Sequence, residues 1–184
     1  MIGYGEDSLT LWALKNRLAD ILDDDDDTSL EECKIFYRPS FGRRNGIGEF
    51  DFIIVSNIKI YLGESKWLAK DIVNDRYIRV SRHRKFNKEI KKPIRKTNSR
   101  FTENINIFCE IFNNKKHEIV NVLTFFYHND SKSKLREKIL SEKTTYFKNK
   151  KKGKDKILLK SFKFVPIDYS GIEIKNSNYI SLPL

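Results

Sequence analysis

Asp51, Glu64 and Lys66 interrupt two of the most apolar stretches of the chain, EFDFIIVS and IKIYLGESKW. A charge in such a run is costly to bury unless it is paired or bound to something. Two carboxylates that meet offer the oxygen donors a hard cation prefers. Mg²⁺ usually takes one or two carboxylates together with waters and a substrate phosphate. The carbonyl of Ser65, between Glu64 and Lys66, can add a neutral ligand. A lysine beside them can orient or deprotonate an attacking water, or steady the charge on a pentacovalent phosphate. Glu6 can supply another metal ligand or a water contact. These are the groups that metal-assisted hydrolysis of a phosphodiester requires. The same residue types also fit a blander arrangement, an edge-strand hairpin carrying a surface ion pair. Glu6 is then an ordinary favourable charge at a helix N-terminus.

The positioning elements follow from hydrophobic period. Both apolar runs are rich in β-branched and aromatic residues, which predicts a hairpin. Antiparallel pairing about Asn57 and Ile58 sets Asp51 opposite Glu64, and a period of two puts Glu64 and Lys66 on one face. A slip of one residue separates them. In GYGEDSLTLWALKNRLADIL, the residues Leu9, Trp12, Ala13, Leu18, Ile21 and Leu22 fall near one helical stripe. Glu6 lies three residues before Leu9 and seven before Ala13, so it continues that stripe at the start of a helix expected to end near Asp23. Residues 23–27 read as an acidic linker in solvent. CKIFYRPS reads as a short strand, and FGRRNGIG as a flexible basic loop.

Residues 68–97 predict an intensely basic helix that Pro93 ends or kinks. TENINIFCEIFNN predicts a further short helix, EIVNVLTFFYH a buried central strand, and ILLKSFKFVPIDYS another strand. Residues 131–156 are lysine-rich and read as a helix followed by a mobile loop over 148–156; the C-terminal tail has no assignment. The order of helix, strands, helix, strand, helix and strand predicts one α/β domain, a central mixed sheet flanked by helices. No internal repeat or domain linker is evident.

The chain has 184 residues and a formal net charge of +11, with a pI near 9.5. Polyanions are therefore the favoured partners. The densest cluster is Arg82, His83, Arg84 and Lys85 in the basic helix, with Arg79 just before it. Arg43 and Arg44 stand ahead of the first apolar strand, where they can clamp a scissile backbone. Phosphate binding explains a basic run with so little counter-charge better than a solvated face does. Residues 148–156 read equally as a second DNA arm or a solubilising loop. Cys33 and Cys109 form no disulfide framework, and His83, His117 and His128 are too scattered for a zinc site. With no apolar run of membrane-spanning length and no secretory signal, the expectation is an intracellular protein, cytoplasmic or nucleoid-associated, with no membrane partner.

Taken together, Asp51, the Glu64-Ser65-Lys66 triplet on a hairpin and Glu6 on a preceding helix resemble the PD-(D/E)xK nuclease superfamily. That superfamily includes restriction endonucleases and archaeal Holliday-junction resolvases. The match covers the N-terminal third of the chain. Phe50 departs from it, standing where the motif has proline. The resemblance implies a single restriction-endonuclease-like domain over 1–184, with a core of about 1–170. It implies Asp51, Glu64 and Ser65 as metal ligands, Lys66 as the motif lysine and Glu6 as the helical acid. It further implies Mg²⁺, with Mn²⁺ able to substitute, and cleavage of duplex or branched DNA by a homodimer. RNA cleavage is compatible with the same chemistry. The competing expectation is a non-catalytic basic protein that binds nucleic acid or serves in assembly.

Overall fold

Between Phe52 and Trp67 the chain forms two antiparallel strands, β3 (Phe52–Val55) and β4 (Lys59–Trp67). In the computed structural model, which describes residues 2–23, 32–42, 46–67, 80–96, 99–127, 162–174 and 179–181, Phe52 pairs with Gly63, Ile53 with Leu62, Ile54 with Tyr61 and Val55 with Ile60. This is the register expected from the sequence. The turn is closed by Ser56, whose N–H donates to the Lys59 carbonyl at 3.0 Å and whose hydroxyl accepts the Lys59 N–H at 2.9 Å. Every residue of β3 is buried. Both of its faces are covered, which is why the run is continuously apolar rather than alternating.

The edge strand β2 (Lys34–Tyr37) pairs antiparallel with β3. The strands β5 (Glu118–Tyr127) and β6 (Lys163–Asp168) pair parallel. The sheet order is β2-β3-β4-β5-β6, so the fold is α/β with a mixed five-stranded sheet, and β5 is an interior strand as its apolar run predicts. A second sheet, absent from the sequence reading, joins β1 (Ile2–Tyr4), β8 (Tyr179–Ser181) and β7 (Glu173–Ile174) in the order β1-β8-β7. Strands of two or three residues are too short for any period to be legible.

The N-terminal helix departs from expectation by breaking. It runs as α1 (Gly5–Asn16) and α2 (Leu18–Ile21). Arg17 lies between them at φ −132°, ψ 25°, outside helical geometry. Leu9, Ala13, Leu14, Leu18, Ile21 and Leu22 are buried, whereas Trp12 is half-exposed. Asp23 is not solvated linker: its carboxylate takes Lys59 Nζ at 2.9 Å, and its N–H donates to the Tyr61 hydroxyl at 3.1 Å. The rest of the acidic run lies outside the described residues, as do residues 128–161 with the lysine-rich segment.

The chain divides into two compact units, a division that no linker announces. One comprises Met1–Leu22, Glu64–Tyr77 and Val122–Leu184; the other comprises Asp23–Gly63 and Ile78–Asn121. The second unit is built on aromatic edges. Phe41, Phe50, Phe86 and Phe108 meet edge to face at centroid separations of 5.1–6.2 Å, a geometry that adds to their burial. Helix α3 (Val80–Glu89) contributes Phe86. Helix α4 (Arg100–Lys115), longer than expected, contributes Ile105, Phe108 and Cys109 and is capped by Ser99, whose hydroxyl accepts the Thr102 N–H. Phe41 and Ile47 are 1% and 2% exposed, so the segment read as a flexible basic loop is anchored in this core at both ends.

Helix α3 stops at Glu89, ahead of Pro93, and residues 68–79 of the expected basic helix lie outside the described residues. Its end is tied by charge: the Glu89 carboxylate accepts from Lys92 at 2.7 Å and from Arg95. Within the first unit, Lys163 Nζ donates to the Leu22 carbonyl at 2.7 Å, tying β6 to the end of α2. No described helix is long and apolar enough to cross a membrane.

Gly63 faces the Phe52 ring so closely that a Cβ there would lie 2.1 Å from it. Gly63→Ala is therefore expected to cost about 1–3 kcal/mol by overpacking, read as a lower midpoint in urea denaturation with unchanged slope. Burial pushes the Glu89 carboxyl up, but the hydrogen bonds and charges of Lys92 and Arg95 outweigh it and hold the pKa below its ordinary 4.5. A lowered folded-state pKa gives stability that is present above the unfolded value and lost as pH falls through the folded one. Stability should thus decline more steeply below about pH 4.5 in the parent protein than in Glu89→Gln, as measured by denaturation across acid pH.

Candidate functional site

The last residues of β4 and the first turn of α1 meet in the first unit. Gly5 opens α1 against the Trp67 indole, where a Cβ would lie 1.9 Å from the ring; only glycine admits this approach. The next residue, Glu6, accepts the Trp67 backbone N–H through Oε2 at 3.0 Å. Its other oxygen lies 3.6 Å from Lys66 Nζ. The Lys66 ammonium also donates to the Ser65 carbonyl oxygen. Glu6 thus caps the end of β4 and faces the lysine two residues beyond Glu64. The side chains of Lys66 and Glu6 are 14% and 23% exposed, little enough for their mutual attraction to be felt.

Strand β5 fixes the same segment from its other side. Thr124 Oγ1 donates to the Glu64 carbonyl at 3.3 Å and shares a 2.9 Å hydrogen bond with the Ser65 hydroxyl. Ser65 is fully buried and Glu64 is 5% exposed. Trp67 Nε1 donates to the Tyr169 hydroxyl at 3.0 Å. Burial pushes the Tyr169 phenol up; the hydrogen bond from Trp67 works against this, and the charge of Asp168 adds to it. The triplet Glu64, Ser65 and Lys66 is therefore held by a helix, a strand and an aromatic pair.

In the second unit, Asp51 lies one residue before β3. Its N–H donates to the Gly63 carbonyl at 3.1 Å, and its own carbonyl accepts the Arg38 N–H at 3.0 Å. Asp51 is half-buried. Ahead of it, Glu49 Oε1 takes two nitrogens of Arg38 at 2.8 and 3.0 Å. Phe50, the departure from the motif's proline, is fully buried between Phe41, Phe86 and His83. Phe50 is an aromatic anchor of this core. His83 is buried, with Nδ1 2.9 Å from Asn121 Oδ1.

The basic residues divide. Arg84, Lys85 and Lys88 are exposed along α3. Arg82 is half-buried and donates to the Glu49 carbonyl. Arg43, Arg44 and Arg79 lie outside the described residues. Sequence reasoning missed Arg38, Thr124, Tyr169 and Asn121, because each meets its partner only through the tertiary fold. Gly5 was the one visible signal, a residue without a side chain at the mouth of a helix.

As donors, the Asp51 and Glu64 carboxylates have the hard-oxygen chemistry that Mg²⁺ takes, and to that extent they fit such an ion. The Ser65 carbonyl is engaged by Lys66 instead. Among the described residues, no group of three or more His, Cys, Asp or Glu side chains is arranged to hold a metal.

No family model, curated protein or solved structure matches this chain.

Proposed function

We propose that the chain is a divalent-metal-dependent DNA endonuclease of the PD-(D/E)xK type, built on a restriction-endonuclease-like domain. The observation that supports this most is the β3–β4 register. Asp51 is hydrogen-bonded to Gly63, the residue directly before the Glu64, Ser65 and Lys66 triplet. A surface ion pair needs no such register, no buried Glu64 and no helix delivered onto the lysine.

Asp51 and Glu64 would hold Mg²⁺ or Mn²⁺, which when bound supplies charge stabilisation at the phosphate and an acidified water. The chain's own groups do the rest. Lys66, steadied by Glu6 and the Ser65 carbonyl, orients the attacking water or stabilises charge on the phosphate oxygens. Glu6 keeps the lysine in place through its ionic contact and fixes the strand through the Trp67 N–H. The exposed Arg84, Lys85 and Lys88 attract the polyanionic substrate. The substrate class is duplex or branched DNA, cut by a homodimer inside the cell, with one site for each antiparallel strand.

A second reading, a basic nucleic-acid-binding or assembly protein without catalysis, draws on the exposed α3 stripe and needs neither Asp51 nor Glu64 to bind metal. The two readings part on metal. Cleavage should require Mg²⁺ or Mn²⁺, and Asp51→Asn should weaken saturable Mn²⁺ binding measured by calorimetry. Undiminished cleavage by clean protein in EDTA excludes the two-carboxylate mechanism, and DNA binding without saturable metal binding favours the second reading.

Roles within the site are also separable. Lys66→Ala is expected to leave metal and DNA binding intact while lowering the single-turnover rate by roughly two to four orders of magnitude. Glu6→Gln keeps an acceptor for the Trp67 N–H but removes the charge facing Lys66, so it belongs with Lys66→Ala: a rate loss with metal affinity retained. A fall in metal affinity like that of Asp51→Asn would make Glu6 a ligand instead.

A further inference from the structure

We infer that Arg82 is a positioning residue that fixes the backbone leading into Asp51, and that it is not one of the phosphate-binding cations of α3. The inference touches the proposed function in one respect: Asp51 is one of that reading's two carboxylates.

Burial separates the basic residues of α3: Arg82 is half-buried, whereas Arg84, Lys85 and Lys88 are exposed. Arg82 shares a stripe with Phe86 and Glu89, four and seven residues on, and both of those are buried. Arg84 and Lys88 lie on the far side of the helix and are exposed, and Lys85, three residues after Arg82, is exposed as well. A run that reads as one cationic block is therefore two populations. Arg82 is half-buried, with its guanidinium turned toward the core. Its Nη1 donates to the Glu49 carbonyl, its Nε is buried, and its carbon lies 5.7 Å over the centre of the Phe50 ring. Gly48 sits at φ +75°, where side chains are strained, and a Cβ there would lie 3.9 Å from Arg82 Nε and Nη2.

The consequence is a three-point hold on Glu49, Phe50 and Asp51. Arg82 takes the Glu49 carbonyl, the aromatic core takes the Phe50 ring, and Gly63 and Arg38 take the Asp51 N–H and carbonyl. A guanidinium suits this task because it is planar, lying flat on an aromatic ring while its edge donates to a carbonyl. An ammonium offers neither the plane nor the fork.

The test is hydrogen exchange at the Asp51 amide, compared with the Ile53 amide of the same strand, alongside the salt dependence of binding to a short DNA duplex. Arg82→Gln should speed exchange at Asp51 relative to Ile53 by about tenfold or more, the effect of losing one charge-assisted hydrogen bond, while leaving the log–log salt slope unchanged. Arg82→Lys should behave like Arg82→Gln although it keeps the charge. Arg84→Gln should do the reverse, lowering the slope by about one unit with Asp51 exchange unaltered. If Arg82→Gln does not fold, Arg82→Met, which keeps a stem over Phe50, replaces it with the same expectation. The inference is overturned if Asp51 exchange matches the parent protein in these variants, or if Arg82→Gln lowers the slope and Arg82→Lys restores it. Exchange decides the matter even where DNA binding is too weak to measure. Neither readout involves cleavage, so failure here is distinct from failure of the nuclease reading.

Discussion

β3 is buried on both faces, and a strand in that situation has one tolerable register. Sliding it by a residue exchanges every side chain between its two faces. Here the pairing from Val55 with Ile60 to Phe52 with Gly63 is closed at one end by the Ser56 turn and at the other by a steric lock. The Phe52 ring occupies the space in which a side chain at position 63 would sit. A slip would drive that ring into Leu62 or Glu64. Asp51 is tied to the end of this lock, its N–H donating to the Gly63 carbonyl. What precedes Asp51 is arranged around the same fixed point: Arg38 and Glu49 form an ion pair beside it, and Phe50 plugs into the aromatic core.

Much of this hairpin was legible because its cause is local. β-branched and aromatic runs of the right length announce strands, and the dipeptide at the turn sets the register. β5, β6 and α4 were legible for the same reason, each carrying a period or an apolar run over enough residues to be seen. The break at Arg17 was not legible. The apolar stripe continues through it, so Leu18, Ile21 and Leu22 look like further turns of one helix. The sheet of β1, β7 and β8 lies beyond the reach of periodicity, since its short strands are specified by their pairing and by nothing within themselves. The N-terminal strand and the C-terminal tail find each across nearly the whole chain, as Ile2 with Ser181.

The candidate site shows the same division. The residue types and the spacing of Asp51, Glu64 and Lys66 were visible, and so was the helical placement of Glu6. The partner of Glu6 was not. A carboxylate on the inward stripe of a helix can meet a metal, a water, an ammonium or a backbone donor, and sequence does not choose among them. The fold gives it two of these, the Trp67 N–H and the Lys66 ammonium. The choice is set by Gly5, which lets α1 start in contact with the indole and so brings the following residue to the end of β4. Charge runs mislead in a related way. A basic helix looks uniform when read along the chain, but the fold half-buries Arg82 against Phe50 and leaves Arg84 and Lys85 exposed.

Lys66 is the point at which structural economy and chemistry compete. A lysine held by a carboxylate and a carbonyl is well satisfied, and a satisfied lysine has no evident need of a substrate. That argument alone favours a purely structural ion pair. Burial weighs against it. A largely buried ion pair loses much of its Coulombic gain to desolvation, so stability is a poor reason to break an apolar strand with a lysine. The carbonyl of Ser65 is also a weak competitor for the ammonium, because a phosphate offers charge-assisted hydrogen bonds roughly twice as strong as those to a neutral acceptor. On the nuclease reading proposed above, a phosphate arriving beside β4 would draw the ammonium from the carbonyl while Glu6 still faced it. On that reading, the contact with the Ser65 carbonyl would be a resting position for Lys66, given up to a stronger acceptor.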